Sequence, residues 1–183
     1  MSVQAAGSSD SEFGYICRRC SRCCRDKRIQ LNPYELARLA RAKHQSTSEF
    51  RAAWTLQGKG TVLSQRDDGT CVFLGPHGCE VHADRPLVCR LYPLARHVLP
   101  DGAESFTILE GHPQSEGEFT AGSTVAHYLE TQGAGPFMHA ADAYFRWLCD
   151  AFKRLGLACD AVSFNEQKVR SYPDLLDMDG MIL

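Results

Sequence analysis

The sequence predicts a small α+β domain, irregular and metal-centred, with short β-hairpins and packed helices. Helix-start residues follow the first group of cysteines, and an apolar stripe with helical period lies in the C-terminal part. Between them, residues 61–109 consist of short β-type runs broken by turn residues. Seven of the nine cysteines lie in two dense groups, which favours a centre built around metal over a disulfide framework.

We expect one domain with an extension at each end. The chain has 183 residues, of which 44% are hydrophobic, enough for one core without disulfides. Residues 1–14 are small and polar, which predicts a flexible leader rather than an export signal. Residues 15–159 are predicted to form the cysteine-cluster metal-binding domain. Residues 160–183 form a C-terminal tail, and its packing on the domain is left open.

Two helices are predicted between the cysteine groups. Asn32 as N-cap, Pro33 in the first turn and Glu35 at the capping-box position predict a helix over about 33–44. A second short helix is expected to begin near Thr47 or Ser48 and to end before the next glycines.

The following region predicts short strands. Asp68-Gly69 marks a turn directly before the second cysteine group. Pro100-Asp101-Gly102 separates two extended runs, so Ala95 to Leu99 and Glu104 to Leu109 are expected to form a hairpin.

Two helices are predicted after the strands. Ser123 is the expected cap of a helix that ends at Gly133, and a longer helix begins at Pro136 and stops at Gly156. Apolar residues spaced by three or four positions predict one buried stripe on the longer helix. These residues are Met138, Ala141, Phe145, Leu148, Phe152 and Leu155.

Composition excludes several classes of function. The formal net charge of −2, from 20 basic and 22 acidic residues, provides no global field that would attract nucleic acid or anionic lipid. No run approaches the roughly 18 apolar residues of a membrane span. We therefore expect no membrane or nucleic-acid partner. The absence of an export signal and the odd number of cysteines predict reduced thiols in the cytoplasm.

The first cysteine group favours an iron-sulfur cluster. Cys17, Cys20 and Cys23 follow one another at three-residue intervals. In ferredoxin-type loops this spacing holds three corners of one cubane and a remote cysteine completes it, whereas structural zinc usually takes pairs from two separate knuckles. Cys24 directly follows Cys23, and adjacent side chains point in different directions. We therefore expect one of these two residues to face a different site.

The second group has the pattern Cys71-x7-Cys79-x2-His82-x6-Cys89. Three sulfurs and an imidazole suit a mixed thiolate-imidazole site, or a contribution to a larger shared site. Seven cysteines and His82 make eight donors, the number that two four-coordinate centres need. A single four-cysteine cluster with structural or redox-active cysteines beside it fits equally well. The remaining two cysteines, Cys149 and Cys159, are expected to be small core residues.

Basic side chains crowd the first cysteine group. We expect them to offset the negative charge of thiolates and to lower cysteine pKa values. Phosphate binding is the weaker alternative, because few aromatic residues lie nearby for stacking on bases. The residues are Arg18, Arg19, Arg22, Arg25, Lys27 and Arg28.

The motifs resemble the YkgJ-like cysteine-cluster family, whose domain is described as chelating zinc or iron. The resemblance spans about residues 17–132 and is weaker from Gly117 onwards. The matching residues are Cys17-x2-Cys20-x2-Cys23-Cys24, Gly69-Thr70-Cys71-Val72-Phe73-Leu74 and Gly78-Cys79-x-Val81-His82-x2-Arg85-Pro86-x2-Cys89-Arg90-x-Tyr92-Pro93.

The resemblance implies metal ligands among the seven grouped cysteines. It also changes the expected roles of two histidines. Relatives often have Tyr at the position of His82, which argues against an obligatory ligand there. Many carry Cys-Pro-Gly near His112-Pro113-Gln114, so His112 is a candidate imidazole in place of a thiolate. Arg85 and Arg90 are predicted to surround the cofactor and donate to its sulfurs.

The predicted function is that of a metal-binding protein carrying a [4Fe-4S] cluster, for electron transfer or redox support of an unidentified partner. The alternatives are a structural zinc-binding interaction module and a metal storage or delivery protein. A similar cysteine module occurs in flagellin lysine methylases. However, the sequence contains no recognisable Gly-rich cofactor loop and no nucleophile with an identifiable base. The enzymatic role that stays open is that of a component of an iron-sulfur oxidoreductase.

Overall fold

The structure is a computed structural model that describes residues 3–58 and 60–156. Within these residues it contains five α-helices and three small antiparallel sheets, which confirms the predicted α+β class. The strands are β1 Val3–Gly7, β2 Tyr15–Ile16, β3 Leu74–Gly75, β4 Gly78–Cys79, β5 Leu94–Val98, β6 Glu104–Leu109 and β7 Glu118–Phe119. The helices are α1 Pro33–Ala42, α2 Thr47–Trp54, α3 Leu87–Leu91, α4 Val125–Thr131 and α5 Gly135–Arg154, with 3-10 helices at Arg22–Cys24 and His82–Asp84.

The sheets are small and all antiparallel. The largest has the strand order β1-β6-β5, and the other two are the pairs β2-β7 and β3-β4. The predicted hairpin is confirmed as β5-β6, with Val98 opposite Glu104 next to the turn. The leader over residues 1–14 stays a prediction. In the described part of this segment, strand β1 pairs with β6 and Phe13 is 3% exposed.

The predicted helices between the cysteine groups are confirmed. Both α1 and α2 begin with a capping box, formed by Asn32 with Glu35 and by Ser46 with Glu49. Each box satisfies backbone N–H groups that have no partner inside the helix. The helix after the strands is capped one residue later than predicted, because the Thr124 hydroxyl accepts the His127 N–H.

The long helix α5 begins one residue before the predicted Pro136. Leu148 and Phe152 of its predicted stripe are buried, whereas Leu155 is 44% exposed at the helix end. Cys149 is buried, as expected for a small core residue. The predicted tail and Cys159 lie outside the described residues.

The buried apolar residues form two clusters. The first core consists of Ile29, Leu31, Leu36, Leu39, Ala40, Phe50, Leu63, Phe73 and Val81. The second core consists of Ala6, Phe13, Leu91, Leu94, Phe106, Val125, Tyr128, Leu129 and Ala134. Helix α3 joins the two, because Cys89 packs against the first core while Leu91 is part of the second.

No helix in the described part of the chain combines the length and the apolar character needed to cross a membrane.

Candidate metal centre

Five cysteines from both predicted groups lie in one neighbourhood, and we call them the inner thiols: Cys23, Cys24, Cys71, Cys79 and Cys89. Cys23 interacts electrostatically with each of the three cysteines of the second group, and Cys24 interacts with Cys71 and Cys89. All five are partly buried. Thiols of residues almost seventy positions apart in the sequence therefore lie close enough to influence one another electrostatically.

Backbone hydrogen bonds fix the junction between the two segments. The Cys71 N–H donates to the Cys24 carbonyl at 2.8 Å, and the Asp26 N–H donates to the Gly69 carbonyl at 2.9 Å. Gly69 has a φ of +76°, and a Cβ atom at this position would lie 2.2 Å from Oδ1 of Asp26. The left-handed φ favours glycine at this position, where the two segments of the chain meet.

The other two inner thiols are held by different elements. Cys79 ends strand β4 and pairs with Leu74 of β3. Cys89 lies on α3, whose first N–H, from Leu87, donates to Oε1 of the buried Glu35 at 2.7 Å. The other carboxylate oxygen of Glu35 accepts the Asn32 N–H at 3.0 Å. One carboxylate thus caps α1 and also anchors the helix that carries Cys89.

Cys23 and Cys24 face the same neighbourhood, which corrects the expectation that they face different sites. The Cys24 thiol donates a hydrogen bond to Cys23, lowering the pKa of Cys23 to about 7. The same bond raises the pKa of Cys24 well above its usual range. Both residues belong to the 3-10 helix Arg22–Cys24. Cys23 is therefore the first inner thiol to become a thiolate as pH rises.

The remaining inner thiols favour the protonated state. Burial is the main cause of the raised pKa of Cys71, of Cys79 and, most strongly, of Cys89. Neighbouring sulfurs raise these pKa values further, because several thiolates in one place repel one another. A bound cation reverses this preference, so metal binding at these thiols must release protons.

Cys17 and Cys20, here called the outer thiols, are the first two cysteines of the motif. Cys17 is exposed and Cys20 is partly buried. Their electrostatic neighbours include Tyr15 and Tyr92, and Tyr92 also interacts with Cys23. Tyr92 therefore has cysteines of both the inner and the outer set as neighbours.

The two candidate histidines are placed differently. His82 lies in the 3-10 helix beside Arg85, whose guanidinium is 3.4 Å from His82 Nδ1. Burial and nearby arginines lower the pKa of His82, which keeps its ring neutral. Nδ1 of His112 accepts the Gln114 N–H at 3.1 Å, so a neutral His112 ring carries its proton on Nε2. Metal binding by either histidine stays a prediction.

The two predicted arginines have separate environments. Arg85 interacts electrostatically with Cys23 and Cys79, and it donates to Gln132 Oε1 at 2.9 Å. Arg90 is 7% exposed, and its guanidinium donates to the carbonyls of Arg85, Gln132 and Ala83. The guanidinium carbon, Cζ, also lies 3.9 Å from the ring centroid of Phe137. Arg85 is thus placed to act on the thiols, whereas Arg90 ties surrounding loops together.

The local chemistry fits an anionic metal-thiolate group. Soft thiolates are the ligands that zinc and iron-sulfur clusters take. Nε of Arg22 is buried and has no hydrogen-bond partner among the described residues, and Arg22 directly precedes Cys23. A thiolate or sulfide next to this N–H would satisfy it. Lys27 and Arg85 add positive charge that favours the Cys23 thiolate.

The inner thiols do not form a closed ligand cage as they stand. No group of three or more His, Cys, Asp or Glu side chains in residues 3–58 and 60–156 is arranged to hold a metal ion. Three of the inner thiols, Cys71, Cys79 and Cys89, pack against the first core.

A comparison with family models decides what the cysteine pattern represents. The model described as "CxxCxxCC: Putative zinc- or iron-chelating domain" matches residues 16–120, more than half of the chain. The chain belongs to the CxxCxxCC family. This membership supports metal binding and confirms the resemblance found from the motifs. No curated protein and no solved structure matched the chain.

Sequence reasoning missed the second role of Glu35 in this CxxCxxCC domain. The capping box predicted the contact with Asn32, but the contact with Leu87 joins residues 52 positions apart. Neither local spacing nor composition signals such a contact. The only sequence signal is the proline at position 86, which indicates a helix start.

Proposed function

We propose that this CxxCxxCC domain holds an iron-sulfur cluster, a [4Fe-4S] centre, and uses it to exchange electrons with a redox partner. The observation that carries the proposal is the convergence of five thiols from two distant segments. Four thiolates complete one cubane, and the inner set supplies them with one thiol to spare. Binding closes the sulfurs around the cluster and releases their protons.

The surroundings support a redox role for such a centre. The inner thiols are partly exposed, so a cluster would lie near the surface, within reach of a partner. Hydrogen bonds to sulfur and nearby positive charge raise the reduction potential of a cluster, because they stabilise the added electron. Arg22 and Arg85 are the residues of this chain placed to supply them.

A structural zinc site is the second candidate, and the β3-β4 hairpin favours it. Cys79 lies in β4 of this hairpin and Cys71 lies three residues before β3, and structural zinc sites take thiolates from such closely connected segments. Zinc bound there would hold the interaction domain together without any turnover. The same thiols would serve metal storage or delivery if the ion exchanged.

Anaerobic purification followed by quantitation of iron, zinc and acid-labile sulfide separates these proposals. The iron-sulfur proposal predicts a brown protein with equal amounts of iron and sulfide and a broad visible absorption. A colourless protein that contains zinc supports the second candidate. A colourless protein with all of the grouped thiols free to titrate contradicts both.

A further inference from the structure

Two arginines near the inner thiols, Arg19 and Arg85, form no ion pair with a carboxylate of residues 3–58 and 60–156. Arg18, the neighbour of Arg19 in the sequence, differs from them. Its guanidinium donates to Glu118 through Nε at 3.1 Å and Nη2 at 2.9 Å. A carboxylate of the protein therefore offsets the charge of Arg18, whereas the charges of Arg19 and Arg85 are available to an external anion.

Neutral acceptors hold the Arg85 side chain in place. Its Nη1 donates to the His82 carbonyl at 2.7 Å, and its Nη2 donates to Gln132 Oε1 at 2.9 Å. Asp84, the acidic residue of the same 3-10 helix, instead accepts from Arg38 at 2.5 Å. A guanidinium has five N–H donors, so these contacts orient Arg85 and leave donors for a ligand.

The turn that carries Arg19 lies against the hairpin that precedes His82. Arg19 and Ser21 have φ values of 54° and 62°, and the Ser21 hydroxyl donates to the Arg19 carbonyl at 3.4 Å. A Cβ atom at Gly78 of β4 would lie 4.0 Å from Ser21 Oγ. Nη1 of Arg85 lies 3.4 Å from His82 Nδ1, and both Arg85 and Arg19 lower the pKa of His82. The two positive charges therefore lie near one histidine.

We propose that Arg19 and Arg85 form a binding site for a phosphate group beside His82. A guanidinium presents parallel N–H donors that match two oxygens of a phosphate, and each such charge-assisted bond is strong. Arg85 also interacts electrostatically with Cys23 and Cys79, so a bound phosphate compound would lie next to the inner thiols. The proposal goes beyond the proposed function, and it does not depend on which metal the inner thiols hold.

Isothermal titration calorimetry of the full-length protein tests the site, with inorganic phosphate and glycerol 3-phosphate as probes. The buffer is free of phosphate and has constant ionic strength, because salt screens exposed charges. Wild type should bind one phosphate group per chain. Tighter binding of the inorganic ion identifies free phosphate as the ligand, and tighter binding of the ester identifies a phosphorylated small molecule. The absence of saturable binding for both probes overturns the proposal.

Variants of neighbouring arginines separate a built site from a general effect of charge. Arg19→Gln and Arg85→Gln should each weaken phosphate binding at least about tenfold, since each removes charged donors. Arg18→Gln removes the same charge from the same loop, but the Arg18 guanidinium is engaged by Glu118. It should change the affinity by about twofold or less. Equal weakening in Arg18→Gln and Arg19→Gln overturns the proposal.

The exposed position of Arg19 keeps the test valid if Arg85→Gln disturbs the fold or the metal content. Modification of wild type with phenylglyoxal, which reacts with guanidinium groups, provides a second measurement. Bound phosphate should slow the modification of Arg19 and should leave that of Arg41, exposed on α1, unchanged. Equal rates for Arg19 with and without phosphate contradict the site.

The outcomes for the metal and for the phosphate site are distinguishable. If the purified protein holds no metal, the proposed function fails, and the comparison of Arg18→Gln with Arg19→Gln still decides the phosphate site. If the protein holds its metal but no variant differs from wild type in phosphate affinity, the phosphate site fails alone.

Discussion

Arg90, next to Cys89 of the inner thiols, makes contacts that hold the fold together. Its side chain is almost fully buried, and each of its three nitrogens donates to a backbone carbonyl. Burial and the nearby Arg85 lower its pKa to about 10, which leaves it charged at neutral pH. The guanidinium therefore joins the 3-10 helix His82–Asp84, α3 and the end of α4.

Replacement of Arg90 should destabilise the domain. We expect Arg90→Ala to lower the free energy of unfolding by about 2–4 kcal/mol, since three buried carbonyls lose charged donors and Phe137 loses its stacking partner. Arg41→Ala, at an exposed position on α1, is the matched control and should change stability by about 0.5 kcal/mol or less. Equal urea midpoints for the two variants contradict this role.

At the scale of elements, Glu35 connects α1 with the helix that carries Cys89. Burial raises its pKa, and the hydrogen bonds from Asn32 and Leu87 oppose this shift. For a carboxyl group with a raised folded pKa, the folded state binds the proton more tightly than the unfolded state. The stability contribution is therefore greatest at low pH and falls as pH rises through the folded pKa.

Glu35→Gln should remove this pH dependence. We subtract the free energy of unfolding of Glu35→Gln from that of wild type. This difference is expected to decrease as pH rises above about 4.3, the pKa of a glutamate side chain in an unfolded chain. It should level off above the folded pKa. Urea unfolding of both proteins at matched pH measures it, because contributions from other carboxyl groups cancel. A difference that is constant or that rises with pH contradicts the assignment.

The loop before β7 approaches β2 so closely that it requires a glycine. A Cβ atom at Gly117 would lie 1.8 Å from the Tyr15 hydroxyl and 2.3 Å from its ring. The Tyr15 ring is itself held between Tyr92 and Phe119. This approach places Glu116 beside Cys20.

We expect Gly117→Ala to destabilise the protein by about 1–3 kcal/mol, since a rigid ring must move. It should also change the alkylation rate of Cys20. Gly135→Ala is the control, because no atom lies within 4 Å of the added methyl group. Alanine at this first position of α5 should leave stability unchanged or slightly increase it. Equal behaviour of the two variants in urea unfolding and alkylation rules out the predicted clash.

For the whole molecule, the resident metal should stabilise the first core more than the second. A structural metal site contributes about 10–16 kcal/mol, comparable with the net stability of a domain at about 5–15 kcal/mol. Removal of the metal should therefore loosen residues 61–93, which carry three of the inner thiols. The amides of β6, which belongs to the sheet of the second core, should keep their protection.

Hydrogen exchange before and after complete demetallation measures this difference. Faster exchange in residues 61–93, with little change in β6, is the expected result. Unchanged protection in residues 61–93 contradicts a structural contribution from the metal. Uniform loss across both regions shows instead that the two cores unfold together.

The sequence predicted those features that local signals encode. The capping box of Asn32 and Glu35 fixes the start of α1, and the turn at Pro100-Asp101-Gly102 fixes the β5-β6 hairpin. Features that depend on distant contacts were not predicted. The pairing of β1 with β6 requires a partner a hundred residues away, and a polar composition does not reveal it.

The candidate site was predictable in its residue types but not in its grouping. Spacing selected the seven cysteines, yet it favoured Cys17, Cys20 and Cys23 as one set. The structure adds that Cys23 and Cys24 interact with cysteines of the second segment, and the backbone takes left-handed conformations at Arg19 and Ser21 within the motif. Regular spacing alone cannot encode such turns, since these left-handed conformations occur at residues other than glycine.

The most direct test of the account is the metal content of two double variants, one in each cysteine segment. Cys23→Ser/Cys24→Ser and Cys71→Ser/Cys79→Ser each leave three of the five inner thiols, so both should lose the resident metal, measured by elemental analysis after anaerobic gel filtration, while far-ultraviolet circular dichroism shows retained helices. This result places both segments at one centre. Full metal content in either variant contradicts the claim that the two segments bind the metal together.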